Sequence, residues 1–129
     1  MENERLARLL IVDDESGMRE VLREFLAEYD YEILEAANGE VALRILDRER
    51  IDLAIVDIFM PEVDGIELLA ELQARALPAK VIAMSGGGEA GSVGTPLRAA
   101  ALLGAAATLE KPFDLHIMLS HIRQCLECA

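Results

Sequence analysis

The chain has 129 residues, enough for one domain with its own core, and 53% of them are hydrophobic while only 4% are aromatic. That composition excludes a disordered chain and leaves Leu, Ile, Val and Ala to fill the interior. The formal net charge of −12 argues against direct binding of nucleic acid or an anionic membrane, and suits a divalent cation or a basic partner.

The N-terminal stretch MENERLARLL is charged, and its apolar part is too short for a signal peptide. RLLIVD, residues 8–13, is a continuous apolar run that ends in acid and reads as a first strand. Met18, Val21, Leu22, Phe25 and Leu26 then recur at helical spacing. EILEA (32–36) is a second strand, and Asn38-Gly39 opens a helix with Val41, Ala42, Ile45 and Leu46 inward. DLAIVD (52–57) is the third strand, followed at Asp64-Gly65 by a helix marked by Ile66, Leu69, Ala70 and Leu72. KVIAMS (80–85) is the fourth strand, and SGGGEAGSVGT (85–95), with five glycines, is a loop. Thr95-Pro96 caps a fourth helix over 96–103, and Gly104 stops it. AAATLE (105–110) is the fifth strand, and Asp114 caps a last helix carrying Leu115, Met118, Leu119, Ile122 and Leu126. The run AAALLGAAATL (99–109) is too short to cross a bilayer, so the expected location is cytoplasmic.

Strand and helix thus alternate five times. The pattern predicts an α/β fold: a doubly wound, five-stranded parallel sheet with right-handed crossovers and helices on both faces. Strands this continuously apolar have no wet face. One domain over 1–129 accounts for the whole chain. Cys125 and Cys128 do not form a disulfide framework. His121, Cys125 and Cys128 fall at i, i+4 and i+7, but a lone CxxC lacks the paired spacing of a structural zinc site. A partly buried helix edge or a partner contact is the better reading of that band.

In an open α/β sheet, ligands bind beyond the carboxyl ends of the strands. Those ends read Asp13-Asp14-Glu15, Asp57, Ser85 with glycines behind it, and Glu110-Lys111-Pro112. Three carboxylates aimed at one place repel, so either one is protonated or a cation joins them. Hard oxygen ligands suit Mg²⁺ or Mn²⁺. A lysine and a hydroxyl beside them would hold an anion. A cation, an anion clamp and a carboxylate nucleophile together describe phosphoryl transfer to aspartate. Each residue alone has a blander reading: Asp13-Asp14 as a helix cap, Asp57 or Ser85 as a turn residue, Lys111 as a surface lysine. Their joint placement at four strand ends is what a solvated-turn account does not require.

Asp13-Asp14, Asp57 in DIFMPEVDG, Ser85-Gly86 and Lys111-Pro112-Phe113 occur in an order that resembles the receiver domain of two-component response regulators. The likeness spans about residues 8–127 and is closest to single-domain, chemotaxis-regulator-like members. It implies a flavodoxin-like sheet with strand order 2-1-3-4-5. It implies that Asp57 is the phospho-acceptor for a sensor histidine kinase. It also implies Mg²⁺ (or Mn²⁺) held by Asp13, Asp14, Asp57 and the backbone carbonyl of Phe59, with Asp13 acting largely through water. Ser85 would bond a phosphoryl oxygen and report phosphorylation, Lys111 would pair with the phosphoryl group, and Lys111-Pro112 would be cis. The resemblance describes an acceptor that assists its own phosphoryl transfer and dephosphorylation, not a turnover enzyme. The expected partners are the kinase and either a downstream protein target or a histidine phosphotransfer protein. A dimer would form through the face of the fourth helix, fifth strand and fifth helix, whose fourth-helix segment 96–103 carries the single charge Arg98. The other readings are a phosphorelay shuttle and a non-phosphorylated interaction module. A phosphatase with an Asp nucleophile is disfavoured because position 59 is Phe, where such enzymes carry a second Asp.

Two positions depart from the family pattern. Thr108 stands three residues before the lysine, where the family usually has Tyr or Phe as a rotamer switch; with Ser85 it is the expected switch position, but without an aromatic rotamer, so output draws also on the loop and fourth helix. Phe59, two beyond the acceptor, is bulky and should govern access of phosphodonor or attacking water. The expected outcome is that Phe59→Asn changes the dephosphorylation rate of the phosphorylated protein; equal rates in wild type and variant would remove the idea.

Overall fold

The structure, a computed structural model, describes residues 6–58, 64–86, 98, 100–101 and 103–127. Its strands are β1 (Ala7–Val12), β2 (Tyr31–Ala36), β3 (Leu53–Asp57), β4 (Lys80–Gly86) and β5 (Ala107–Lys111). Its helices are α1 (Ser16–Leu26), α2 (Gly39–Arg48), α3 (Asp64–Arg75) and, at the C-terminus, α4 (Leu115–Glu127). The five strands pair in parallel in the order β2-β1-β3-β4-β5, the flavodoxin-like arrangement expected. Strand bounds differ from the sequence reading by one or two residues. Of the segment expected as a fourth helix, Arg98, Ala100 and Ala101 are helical and most of the rest lies outside the described residues.

The two-residue period of a strand builds two cores. Leu10, Val12, Ala54, Val56, Val81 and Ala83 pack on one face with Ala42 and Leu46 of α2 and Leu68, Leu69 and Leu72 of α3. Leu9, Ile11, Leu53, Ile55, Ile82 and Met84 pack on the other with Leu22 and Leu26 of α1 and Met118, Leu119 and Ile122 of α4. The central strand β3 is buried along its whole length. Full burial of a side chain such as Leu53 or Ile55 stabilises the fold by roughly 1.5–3 kcal/mol.

Helix faces follow the sequence with local shifts. Val21 is 50% exposed, because it sits one residue, or about 100° of helix, from the buried Leu22. On α3 the buried face is Leu68, Leu69 and Leu72, and Ala70 points out. Cys125, expected on a partly buried helix edge, belongs to the core on the α4 side, and Cys128 lies outside the described residues. Asn38 caps α2, its Oδ1 accepting the Val41 N–H at 2.9 Å. Asp114 caps α4 by accepting the His116 N–H at 2.7 Å. At the sheet edge where the strands begin, Asp52 accepts the Arg8 N–H at 2.8 Å and pairs with Arg50.

Two helix ends use the same hydrogen-bond pattern with different residues. After Ala101, Gly104 takes φ 101°, its N–H bonds the Ala101 carbonyl at 3.1 Å, and the Ala105 N–H bonds the Ala100 carbonyl at 3.0 Å. After α3, Ala76 takes φ 55°, its N–H bonds the Gln73 carbonyl at 3.2 Å, and the Leu77 N–H bonds the Leu72 carbonyl at 3.1 Å. Both are Schellman caps, but only one has glycine at the left-handed position. A Cβ there costs about 1–2 kcal/mol. Ala76→Gly is therefore expected to raise the urea midpoint, and Gly104→Ala to lower it, each by about 1 kcal/mol of stability at constant m; opposite or null shifts would contradict the strain assigned to Ala76.

Candidate functional site

Parallel pairing sets the strand ends side by side. Val12 is in register with Val56, Asp57 with Met84, and Gly86 with Lys111. Asp13 therefore leaves β1 next to the end of β3. The alternation of side chains adds a second condition. Asp13 continues the row Leu9, Ile11; Asp57 continues Leu53, Ile55; Lys111 continues Ala107, Leu109. All three fall on the face covered by α1 and α4 as well as on the carboxyl edge.

The charges meet there. Lys111 Nζ donates to Asp57 Oδ2 at 3.1 Å and to Asp13 Oδ2 at 3.5 Å. Asp13, Asp14 and Asp57 each offer a carboxylate oxygen within 4.8 Å of the others. Asp13 is fully buried and Asp57 is 4% exposed, while Asp14 faces solvent. Asp13 is tied at its backbone too. Its N–H donates to the Ala36 carbonyl at 3.1 Å, its carbonyl accepts from Arg19 Nη1 at 2.6 Å, and its Oδ1 accepts the Glu15 N–H at 2.9 Å.

Burial pushes the Asp13 carboxyl above its ordinary range, the Glu15 N–H opposes that, and the Asp57 charge adds to it. Burial pulls Lys111 down, but the Asp57 and Asp13 charges outweigh it and hold the ammonium above its ordinary range. Both move upward, which favours the neutral form of Asp13 and the charged form of Lys111, because Asp13 is desolvated beyond what the Glu15 N–H and Lys111 offset. Three carboxylates against one ammonium leave negative charge uncompensated. Hard oxygen donors this close fit Mg²⁺ or Mn²⁺, and a cation among them would reverse the direction at Asp13.

Ser85 is buried at the end of β4, in register with Glu110. Thr108 is half-buried on β5, in register with Ala83. By strand alternation both fall on the α2/α3 face with Ala83, opposite the charged row. The structure thus brings Asp13, Asp14, Asp57 and Lys111 into one cluster and sets Ser85 at the same edge of the sheet, on its other face. Phe59 lies outside the described residues, and the Lys111-Pro112 bond is cis, as the sequence resemblance implies.

Two contributors were not read from the sequence. A Cβ on Gly65 would meet Ile58 Cα at 2.3 Å and the Asp57 carbonyl oxygen at 2.7 Å, so only glycine lets the start of α3 approach the end of β3. The sequence signal was present, but an Asp-Gly pair reads first as a turn. The sequence pattern assigns Arg19 no role.

Among the described residues, no helix is long and apolar enough to cross a membrane. The family model for the response regulator receiver domain matches residues 9–123. Chemotaxis protein CheY of Listeria monocytogenes is 35% identical over 120 residues, covering 92% of this chain and 98% of that protein. Sporulation initiation phosphotransferase F of Bacillus subtilis is 35% identical over 119 residues, covering 92% and 93%. Response regulator TrrA of Thermotoga maritima, solved in complex with Mg²⁺ and BeF, is 32% identical with a TM-score of 0.79, covering 94% of this chain and all of that one. The chain belongs to the response regulator receiver domain family of two-component signalling.

Proposed function

We propose that residues 1–129 act as one receiver domain that accepts a phosphoryl group on Asp57 from a sensor histidine kinase and thereby switches partner binding. The observation that carries this is the Lys111 ammonium held between two buried carboxylates, 3.1 Å from Asp57 and 3.5 Å from Asp13, beside the exposed Asp14. An Asp57 oxygen attacks phosphorus, a P–O bond forms, and the P–N bond of the donor phosphohistidine breaks, the imidazole taking the electron pair. Lys111 shifts from the carboxylate to the phosphoryl oxygens, where charge accumulates. Asp13, Asp14, Asp57 and the Phe59 carbonyl would hold Mg²⁺ or Mn²⁺. When bound, that ion supplies a Lewis-acid charge that offsets the repulsion between the phosphoryl oxygens and the carboxylates. TrrA, solved with Mg²⁺ and BeF, supports that assignment.

Ser85 hydrogen-bonds a phosphoryl oxygen and, with Thr108 on the same face, passes the state toward partners. The protein is an acceptor that assists its own phosphoryl transfer and dephosphorylation, not a turnover enzyme. It acts in the cytoplasm. Output goes to a downstream protein or through a dimer at the face of 96–103, β5 and α4. The similarity to a sporulation phosphotransferase favours a second reading, a shuttle that hands the phosphoryl group to a histidine phosphotransfer protein.

Incubation with acetyl phosphate and Mg²⁺ is expected to add one phosphoryl group by intact mass to wild type and none to Asp57→Ala. No gain in wild type would overturn the acceptor reading in favour of a constitutive interaction module. Lys111→Gln is expected to slow the gain by about 10²-fold, the usual cost of removing one preorganised charge-stabilising donor; an unchanged rate would remove Lys111 from the reaction. Transfer from the phosphorylated protein to a histidine phosphotransfer protein would select the shuttle reading over the switch.

A further inference from the structure

Arg19 is the one long cation of α1 that reaches back into the acidic turn. Its Nη1 donates to the Asp13 carbonyl at 2.6 Å and its Nε to Glu35 Oε1 at 3.0 Å, with a side chain only 17% exposed. Glu35, on β2, also pairs with Arg23 at 3.4 Å. The guanidinium fork thus spans three elements: α1, the end of β1 and the end of β2. Its two donors point in fixed directions, so holding both partners fixes the group itself.

The Asp13 carbonyl is not an incidental acceptor. A peptide unit is planar, so that carbonyl, the Asp14 nitrogen and the Asp14 Cα move as one plate. Fixing the oxygen fixes the plate that joins the buried carboxylate to the exposed one. On its other side Asp13 is held through its N–H by Ala36, and its carboxylate is held by Glu15 and Lys111. Among the described residues Asp14 has no such set of bonds from its own side chain, and the plate is what ties it to the buried Asp13.

We infer that Arg19 is a positioning residue for the acidic site: bridged to Glu35, it fixes the Asp13–Asp14 peptide in the orientation that presents both carboxylates to a divalent cation. This rests on the cation reading above, yet concerns the chain's own residues. Outer contacts that orient metal ligands typically change metal affinity by 10- to 100-fold. Arg23 shares Glu35 but does not touch the Asp13 carbonyl, which makes it the internal control.

The test is an NMR titration of MgCl₂ into wild type, Arg19→Ala, Arg19→Lys, Glu35→Gln and Arg23→Ala, with melting in metal-free buffer. Arg19→Ala is expected to weaken Mg²⁺ binding at least about tenfold. Without metal, it should shift the Asp14 and Glu15 amide signals while those of β4 stay in place. Arg19→Lys keeps one donor and should recover part of the affinity; Arg23→Ala should leave it unchanged. Wild-type affinity in Arg19→Ala, or an equal loss in Arg23→Ala, overturns the inference and reduces the bridge to a stabilising ion pair. Failure of wild type to bind Mg²⁺ would instead overturn the cation reading. If Arg19→Ala does not fold, Arg19→Lys and Glu35→Gln carry the same comparison, with affinities equal to wild type in both overturning the inference.

Discussion

Like charges brought together at the end of a parallel sheet set the terms for the rest of this molecule. Asp13 and Asp57 are both buried, and each would repel the other without compensation. Lys111 supplies it from β5, although β4 lies between β5 and β3. Strands lie about 4.8 Å apart, so the ammonium must reach across roughly two strand spacings. A long unbranched side chain does this, and a shorter cation would not. The sheet order therefore matters to the chemistry directly. A slip of one residue in any of β1, β3 or β5 would turn its charged residue to the other face and break the cluster.

The same two-residue period divides the site. Asp13, Asp57 and Lys111 continue the rows packed under α1 and α4, while Ser85 and Thr108 continue the rows packed under α2 and α3. The charged part and the hydroxyl part share an edge but rest on different cores. β4 and β5 carry residues of both rows and so join the two parts. Thr108, small and half-buried, adds no aromatic bulk to that path.

Much of this was legible in the sequence because the signals were strong and local. Short apolar runs gave five strands, two of them ending in Asp, and their parallel pairing followed from the alternation with helices. The charged ends then had to meet on one edge. What could not be read depended on contacts between elements. Val21 and Ala70 are apolar at helical spacing yet point outward, since the helices present narrower faces to the sheet than their patterns allow. Cys125 enters the core although its place on the helical wheel was marginal. Arg19 and Glu35 are ordinary charges in one dimension and become a bridge only when α1 lies over the ends of β1 and β2. Ala76 carries no mark of a left-handed residue, because the demand comes from how α3 ends.

Among the described residues β2 closes one side of the sheet, with no strand beyond its outer backbone groups. A bare edge of this kind recruits strands from other chains. Here Glu32 and Glu35 stand on that strand, held by Arg8, Arg19 and Arg23. Charged side chains along an edge strand raise the desolvation cost of pairing another strand beside it. The carboxylates that anchor Arg8, Arg19 and Arg23 thus also make this edge a poor template for sideways growth into aggregates.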